Sequence, residues 1–288
     1  MTLTSGLALD VISGATLDGA YFELPVERAR LAQRLTGLGP LRLAERGDPA
    51  DDTHPIVCEL WRVTNGRLFP AGIDQYDLLD RWQGLFASAG ALGKACSNWL
   101  HGLRRLSWGP YNELLIGVPD VQIEDDPERY TLVLGMATDD RLALAIDRVV
   151  GYGYSKRFGQ FSFAPSGAVH VQAEGEPLIS GMLPVPACQP LRAAADFSWL
   201  DQRWQQSLLG RRANGTWCSS RLERRLASAT ELRLADGSLV LHEALGVPLA
   251  ATHALSSEPS AAARAALFRG VTTRISLPHA RPCHRRSR

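Results

Sequence analysis

Short extended runs separated by turn residues are the feature of this sequence that most restricts its fold. Apolar and β-branched residues fill these runs, and Asn-Gly, Pro-Ser-Gly and Asp-Gly clusters separate several of them, as in strands joined by turns. The clearest runs and hairpin patterns are residues 56–63, 111–118, 130–137, 161–174 and 231–243. Strands outnumber helices, so we predict a mainly β fold, an antiparallel barrel or sandwich with appended helices, rather than a doubly wound sheet.

Amphipathic helical patterns interrupt the strands at four places. They are residues 26–35, 72–106, 140–150 and 196–210. In the longest, Leu, Trp and Phe recur at steps of three and four residues, which indicates one or two helices. We interpret it as a helical insert, at about residues 66–106, in a single α+β domain that covers residues 1–288. A basic tail at about residues 279–288 ends the chain, and we expect it to be frayed.

The charge balance and the apolar pattern exclude several classes of protein. The 31 basic and 30 acidic residues nearly cancel, so no long-range positive field is present to hold nucleic acid or anionic lipid. The first residues lack the pattern of a signal peptide, and no run approaches the roughly 18 apolar residues of a membrane span. We therefore predict a cytoplasmic protein whose partners include neither nucleic acid nor a membrane.

Motifs for common cofactors and metals are absent from the sequence. There is no glycine-rich dinucleotide motif, no Walker motif, no H-E-x-x-H and no G-x-S-x-G, and the seven histidines are dispersed. The five cysteines are an odd number at scattered spacings without a C-x-x-C pair, which indicates neither a disulfide framework nor a zinc site. We expect no cofactor and no metal.

Lysine is almost absent from this chain. Of the 31 basic residues, 29 are arginine, and only Lys94 and Lys156 are lysine. A guanidinium cannot lose its proton to become a nucleophilic amine, so a lysine that remains in such a chain is a candidate for chemistry. A coding bias towards arginine is the alternative explanation. Lys94 lies among small residues of the insert, where a solvated helix residue is the simpler interpretation.

Lys156 stands between a helical pattern and a hairpin, in the segment Gly151-Tyr-Gly-Tyr-Ser-Lys-Arg-Phe-Gly159. The part from Tyr154 to Gly159 resembles the active-site stretch of the acetoacetate decarboxylase family. That stretch has a tyrosine, a proline, two lysines, an apolar residue and a glycine, and its first lysine forms a Schiff base with the substrate. The resemblance implies this role for Lys156.

Further stretches resemble the same family in the same order along the chain. Residues 57–60 resemble a strand that carries an active-site glutamate, which implies this role for Glu59. Residues 109–113 resemble the segment with a second active-site glutamate, which implies this role for Glu113. The resemblance covers most of the chain except about residues 65–106, and it implies the family's antiparallel β-barrel and a homo-oligomer.

Two positions depart from the family's pattern. Arg157 replaces the second lysine; it keeps the positive charge and is expected to favour the neutral form of the Lys156 amine electrostatically. Adjacent strand residues point to opposite faces, so the two side chains share a pocket only if the backbone turns there. The arginine that the family uses near the substrate carboxylate falls at Gly19-Ala20. Either another arginine makes that contact, or the substrate is not acetoacetate.

The resemblance implies a small-molecule substrate and a lysine iminium mechanism. The leading hypothesis is a Schiff-base carboxy-lyase that decarboxylates a β-keto acid such as acetoacetate, with Glu113 and Glu59 moving protons or orienting water. An aldolase or dehydratase on a larger oxo-acid uses the same iminium and is the first alternative. A non-catalytic β-barrel that binds an apolar ligand is the second.

Overall fold

The structure is a computed structural model that describes most of the chain. The described residues are 10–44, 52–64, 66–68, 90, 107–108, 110–183, 191–242, 251–258, 261–276 and 279–281. The first strands are β1 Asp10–Glu27, β2 Leu41–Leu43, β3 Thr53–Thr64, β4 Gly66–Leu68, β5 Ser107–Trp108, β6 Tyr111–Ile123, β7 Tyr130–Thr138, β8 Lys156–Phe163 and β9 Ala168–Ala173. The later strands are β10 Glu176–Met182, β11 Ser207–Arg211, β12 Trp217–Ser220, β13 Leu222–Arg225, β14 Glu231–Ala235, β15 Gly237–Leu241, β16 Ala251–Leu255, β17 Arg264–Ser276 and β18 His279–Arg281. The α-helices whose bounds lie within the described residues are α1 Arg28–Leu38, α2 Arg141–Val150 and α3 Ser198–Trp204.

The long strands form one continuous mixed sheet. β1 lies between β17 and β3, and the order continues through β6, β7, β8, β9 and β10 to β15 and β16. The pair β7–β8 is parallel, and so is the pair β7–β11, while the other pairs are antiparallel. The prediction of a mainly β fold with appended helices is confirmed.

The antiparallel β-barrel in this prediction is corrected in two details. Within the described residues the pairings do not close a ring, and two pairs are parallel. The physical reason for the first parallel pair is α2, because a helix that crosses over between two neighbouring strands returns the chain in the same direction. The helical pattern at residues 140–150 was recognised in the sequence, but its consequence for strand direction was not.

Two hydrophobic cores lie on opposite faces of β1, β3 and β6. Side chains alternate between the faces of a strand, so Phe22 and Leu60 join the first core whereas Tyr21 and Trp61 join the second. The first core is completed by β9, β10 and β15, and the second by α3 and by the segment after α2. From His54 to Trp61 every residue of β3 is buried, as expected for a strand covered on both faces.

Several elements predicted from the sequence have different bounds in the structure. α1 begins at Arg28 because β1 continues through Pro25, which pairs with Pro55. The helical pattern at residues 196–210 is only half right, since α3 ends at Trp204 and Ser207–Arg211 forms β11. Most of the predicted insert lies outside the described residues, and its first residues, 66–68, form β4. The start of the expected frayed tail pairs with β12 as β18. None of the helices among the described residues has the length and apolarity to cross a membrane.

Candidate active site

The turn after α2 places Lys156 at the start of β8. The helix ends at Gly151, which adopts a left-handed conformation with φ 74° and donates its backbone N–H to the Asp147 carbonyl. Gly153 also has a positive φ, and a Cβ there would lie 2.7 Å from the backbone carbon of Arg211, so only glycine fits without a backbone shift. The chain then enters the sheet with Lys156 opposite Met136.

The amine of Lys156 contacts the carboxyl group of Glu113. Its Nζ donates a hydrogen bond to Glu113 Oε2 at 3.3 Å, and the two side chains are 9% and 8% exposed. Glu113 lies on β6 opposite Trp61 and Thr138, on the face that carries the second core. The structure therefore brings together Lys156 and Glu113, which are 43 residues apart in sequence.

A small cavity of about 60 Å³ surrounds this pair. A cavity needs at least about 10–15 Å³ to hold one water, so this space is several times larger than that minimum. Its described lining is mostly apolar and aromatic, with Trp61, Tyr111, Met136, Tyr152 and Tyr154 among its members. Its charged members are Lys156, Glu113 and Asp147. One amine and two carboxyl groups thus share a small, largely apolar space.

Burial makes both carboxyl groups of the cavity hold their protons more tightly than in water. Burial raises the pKa of Glu113, the positive charge of Lys156 opposes this rise, and the charges of Asp140 and Asp139 add to it. Burial raises the pKa of Asp147 to about 6; Lys156 opposes this rise and Glu113 adds to it. Both carboxyl groups of the cavity are therefore more readily protonated than carboxyl groups in water.

Glu59 lies beside the cavity and not in its described lining. Its carboxylate forms a short ion pair with Arg224, whose guanidinium stacks over Trp204 at 5.0 Å from the ring centroid. Burial raises the pKa of Glu59, the charge and hydrogen bond of Arg224 oppose the rise, and the charge of Glu113 adds to it. Glu59 shares a sheet face with Glu113 but is held by a guanidinium, so it is less available to exchange a proton.

Arg157 makes its ion pairs outside the cavity. Its Nη1 lies 3.2 Å from Glu176 Oε2 and 4.0 Å from Glu174 Oε2, and both glutamates are exposed. It is not among the described residues that line the Lys156 cavity. The backbone runs as a regular strand from Lys156, so the side chains of Lys156 and Arg157 point to opposite faces of the sheet. The structure therefore does not place Arg157 beside the amine, where the resemblance implied it.

Gly19 has no space for a side chain. A Cβ there would lie 2.2 Å from the Leu60 carbonyl oxygen, so an arginine is excluded unless the backbone shifts. A larger cavity of about 710 Å³ lies at Gly19, on the side of the first core, and Arg62 and Arg233 line it. No arginine is among the described residues that line the Lys156 cavity. Within the described chain, the family's carboxylate arginine therefore has no replacement beside the amine.

Sequence reasoning missed Asp147 and Arg224. Asp147 follows Ala143 by one helical turn, and both line the cavity. An aspartate on the apolar face of an amphipathic helix was the available signal. Arg224 had no comparable signal, because 29 arginines offer no way to select one.

Metal ligands are not clustered in this structure. Among the described residues no group of three or more His, Cys, Asp or Glu side chains is arranged to hold a metal ion. The buried Cys58 and Cys218 are free thiols.

The fold is similar to that of acetoacetate decarboxylases and acetoacetate decarboxylase-like enzymes of known structure. An acetoacetate decarboxylase from Legionella pneumophila subsp. pneumophila str. Philadelphia 1 matches with a TM-score of 0.53 and 12% identity, over 98% of this chain and 92% of its own. A second acetoacetate decarboxylase structure matches with a TM-score of 0.56 and 10% identity, over 95% and 91%. An acetoacetate decarboxylase-like enzyme from Sphingomonas wittichii RW1 matches with a TM-score of 0.54 and 15% identity, over 98% of both chains.

These similarities are structural and not sequence-based. No protein-family model matches the chain, and neither does any curated protein. At 10–15% identity the shared feature is the fold, so the chemistry has to be argued from the residues of this chain.

Proposed function

We propose that Lys156 forms a Schiff base with a small carbonyl substrate and that the chain is a carboxy-lyase acting on a β-keto acid. The observation that carries this proposal is the buried Lys156 amine, 3.3 Å from the Glu113 carboxyl group, in a cavity of about 60 Å³. A lysine in an apolar pocket is the type of residue that forms imines with carbonyl substrates, as in acetoacetate decarboxylase. The shared fold adds support.

Glu113 is the group positioned to free the amine. Lys156 transfers its proton to the Glu113 carboxylate, and a neutral pair replaces an ion pair, a change that burial favours because charges are poorly solvated there. The neutral amine adds to the ketone carbon and gives a carbinolamine. Protonated Glu113 returns its proton to the carbinolamine hydroxyl, which leaves as water, and the nitrogen lone pair forms the C=N bond of the protonated imine. Its nitrogen accepts the electron pair of the broken carbon–carbon bond, so carbon dioxide leaves and an enamine remains. Protonation at carbon and hydrolysis then release the product and the amine.

An aldolase or dehydratase reaction is the second candidate function. The described cavity lining contains two carboxyl groups and no arginine, so a substrate carboxylate meets repulsion rather than a guanidinium. Retro-aldol cleavage and dehydration pass through the same iminium and need proton transfers but no carboxylate to leave. The same lining therefore favours these reactions on a substrate whose charge lies away from the cavity.

Borohydride trapping tests the proposal directly. The protein is incubated with acetoacetate or pyruvate, reduced, and mapped by peptide mass spectrometry, with carbon dioxide release measured in parallel. Because the chain has only two lysines, Lys94→Arg is a matched control for Lys156→Arg. We expect an adduct on Lys156 in the wild type and in Lys94→Arg, and none in Lys156→Arg.

Each outcome of this experiment separates two of the candidates. An adduct with carbon dioxide release supports the decarboxylase, and an adduct without it supports the aldolase or dehydratase. No adduct between about pH 6 and 9 contradicts both and favours a non-catalytic ligand-binding protein. The homo-oligomer stays a prediction from the family resemblance, which light scattering of the purified protein tests.

A further inference from the structure

Asp147 is a buried carboxyl group that α2 contributes to the Lys156 cavity. The residue is 6% exposed and lines the cavity together with Ala143, one helical turn earlier. The spacing of four residues puts both side chains on the same face of the helix. Asp147 therefore approaches the cavity from a helix, whereas Lys156 and Glu113 approach it from the sheet.

The two carboxyl groups of the cavity differ in their contacts. Glu113 accepts the hydrogen bond from Lys156 Nζ at 3.3 Å, so it is engaged with the nitrogen that becomes the imine. The Asp147 carboxyl group interacts with the charges of Lys156, Glu113 and Arg148. Ionising a buried carboxyl group is costly, so it tends to take up a proton or to gain a partner. A substrate atom bound in the cavity is such a partner.

We propose that Asp147 is a catalytic residue that exchanges the proton at the substrate carbon, while Glu113 serves the amine nitrogen. This inference rests on the proposed Schiff-base chemistry and deepens it. The assignment follows from position: Glu113 is hydrogen-bonded to Nζ, and Asp147 is the other carboxyl group in the same small cavity. General acid–base catalysis needs a group within reach of the proton that moves, and this cavity is small enough to bring the carbon of an imine to Asp147.

The proposed proton transfer between Asp147 and the substrate carbon can run in both directions. Protonated Asp147 gives its proton to the enamine carbon, the carbon–carbon double bond supplies the electron pair for the new C–H bond, and the nitrogen becomes an iminium. In reverse, the Asp147 carboxylate removes a proton from the carbon beside the iminium, and the C–H electron pair forms the enamine. Either bond-breaking reaction of the proposed enzyme needs one of these steps.

The charged and titratable groups that face Asp147 define its expected pH dependence. They are Lys156 on β8, Glu113 on β6, Arg148 on its own helix, and the buried Tyr111, Tyr152 and Tyr154 of the lining. Burial raises the Asp147 pKa to about 6, with Lys156 and Arg148 opposing the rise and Glu113 adding to it. Proton removal needs the carboxylate, so its rate should rise with pH through about 6 in the wild type.

Hydrogen exchange of acetone in heavy water, combined with trapping, tests the assignment. Acetone needs no carboxylate to react, forms an imine with an amine, and on the proposed enzyme exchanges its methyl hydrogens through the enamine. We compare the wild type with Asp147→Asn, and use Asp201→Asn on α3 as a control for the same chemical change at a helical position outside the cavity. NMR follows deuterium incorporation, and borohydride reduction measures the imine on Lys156.

We expect Asp147→Asn to keep the acetone adduct and to lose about 100-fold in exchange rate, the lower end of what a general acid–base group contributes. Its exchange should also lose the rise through about pH 6. Asp201→Asn should match the wild type in both measurements. This separation of imine formation from carbon exchange is not produced by a merely structural role.

Three results would overturn the assignment. An unchanged exchange rate in Asp147→Asn, with the adduct intact, removes Asp147 from the mechanism and leaves the proposed function standing. A variant that folds, as judged by circular dichroism, but forms no adduct shows that Asp147 acts on the amine rather than on the carbon. A wild type that forms no adduct overturns the Schiff-base proposal, and the role of Asp147 with it.

Discussion

Two groups of buried charges in this protein are built in different ways. One joins β1, β6 and β17 to α3, where Glu23 and Asp120 meet Arg203 and Arg264. The other is the Lys156 cavity, where Glu113 and Asp147 meet a single amine. The first has two cations for two carboxylates, and the second has one cation for two.

The two groups also differ in their hydrogen bonds and in the pKa shifts of their carboxyl groups. Arg203 Nε donates to Glu23 Oε1 at 2.7 Å and Arg264 Nε donates to Glu23 Oε2 at 2.8 Å, so one carboxylate binds two guanidinium groups. Burial alone would raise the pKa of Asp120, but the charge and hydrogen bond of Arg203 and a hydrogen bond from Gln206 outweigh it and lower the pKa. In the Lys156 cavity the balance is reversed, and burial raises the pKa of Glu113 and Asp147.

The difference distinguishes carboxylates that join elements of the fold from carboxyl groups that can exchange protons. A carboxylate with a lowered pKa and full hydrogen bonding keeps its charge across the physiological range and fixes two elements together. A carboxyl group with a raised pKa, beside an amine, exchanges protons near neutral pH, where catalysis requires it. We therefore expect substitutions in the first group to change mainly stability and substitutions in the second to change mainly chemistry.

The largest expected effect is the loss of all amine chemistry in Lys156→Met. The variant lacks the one lysine among the described residues that line the cavity, so we expect no borohydride-trapped adduct and no turnover of any carbonyl substrate. Its stability should change less than that of Arg203→Met, because Glu113 and Asp147 are already inclined to take up protons. Trapping and urea unfolding measure the two parts. An adduct that persists in Lys156→Met would place the reactive group elsewhere.

The next largest effect is on stability, in Arg203→Met. This change leaves the buried Glu23 and Asp120 without one shared cation, and removing one partner of a buried pair costs about 3–5 kcal/mol. Urea unfolding at pH 7 measures the cost. Arg129→Gln is a matched control, because Arg129 is 53% exposed and lies 3.9 Å from the same Asp120, and such a pair contributes about 1 kcal/mol or less. Equal effects of the two changes would show that burial does not set the difference.

A smaller, pH-dependent effect is expected for Asp147→Asn. The folded-state pKa of Asp147 is raised from 3.8 to about 6, so between these values the folded protein binds more protons than the unfolded chain, and its stability falls as the pH rises. Full ionisation costs about 3 kcal/mol as an upper bound, since one pKa unit is about 1.36 kcal/mol. The free energy of unfolding of Asp147→Asn, relative to that of the wild type, should therefore increase as the pH rises from 4 to 7. Unfolding curves that differ equally at both pH values would contradict this.

The smallest effect is expected for Arg157→Gln. Arg157 pairs with exposed glutamates, so its loss should cost about 1 kcal/mol or less, and its charge is directed away from the cavity. The pH dependence of adduct formation on Lys156 should stay the same. A shift of that dependence to higher pH in Arg157→Gln would restore the electrostatic role that the sequence suggested.

Much of the fold could be predicted because its signals are local. Turn residues and alternating apolar positions predicted the hairpin at residues 161–174, where β8 pairs with β9. They also located the two strands at residues 231–243, but the hairpin expected there is wrong, because β14 pairs with β17 whereas β15 pairs with β10 and β16. Period-3.6 patterns located α1 and α2 to within a few residues. The parallel pairing of β7 and β8 was not predicted, since strand direction depends on how α2 packs and not on the composition of either strand. For the same reason the helix predicted at residues 196–210 is wrong in its second half, where β11 forms because it pairs with β7 and β12.

The candidate site, like the fold, could be predicted from the sequence only in part. Lys156 was selected by the scarcity of lysine and by its resemblance to a family segment, and Glu113 by resemblance alone; their contact at 3.3 Å is a tertiary fact. The alternation of side chains along β8 was known from the sequence and already warned that Arg157 would leave the face of Lys156. Asp147 was readable as an aspartate on an apolar helix face, but nothing local says which cavity that face meets.

The sequence by itself determined the strand-rich class, the main turns, and which side chains are capable of amine chemistry, because these depend on residue type and short-range periodicity. Only the tertiary structure decided which carboxyl groups share a cavity with Lys156 and which are neutralised by arginine. The physical reason is that pKa and reactivity depend on burial and on charges a few ångströms away. Those distances are set by the packing of β6 against β8 and α2, and Glu113 on β6 is 43 residues from Lys156 in the sequence.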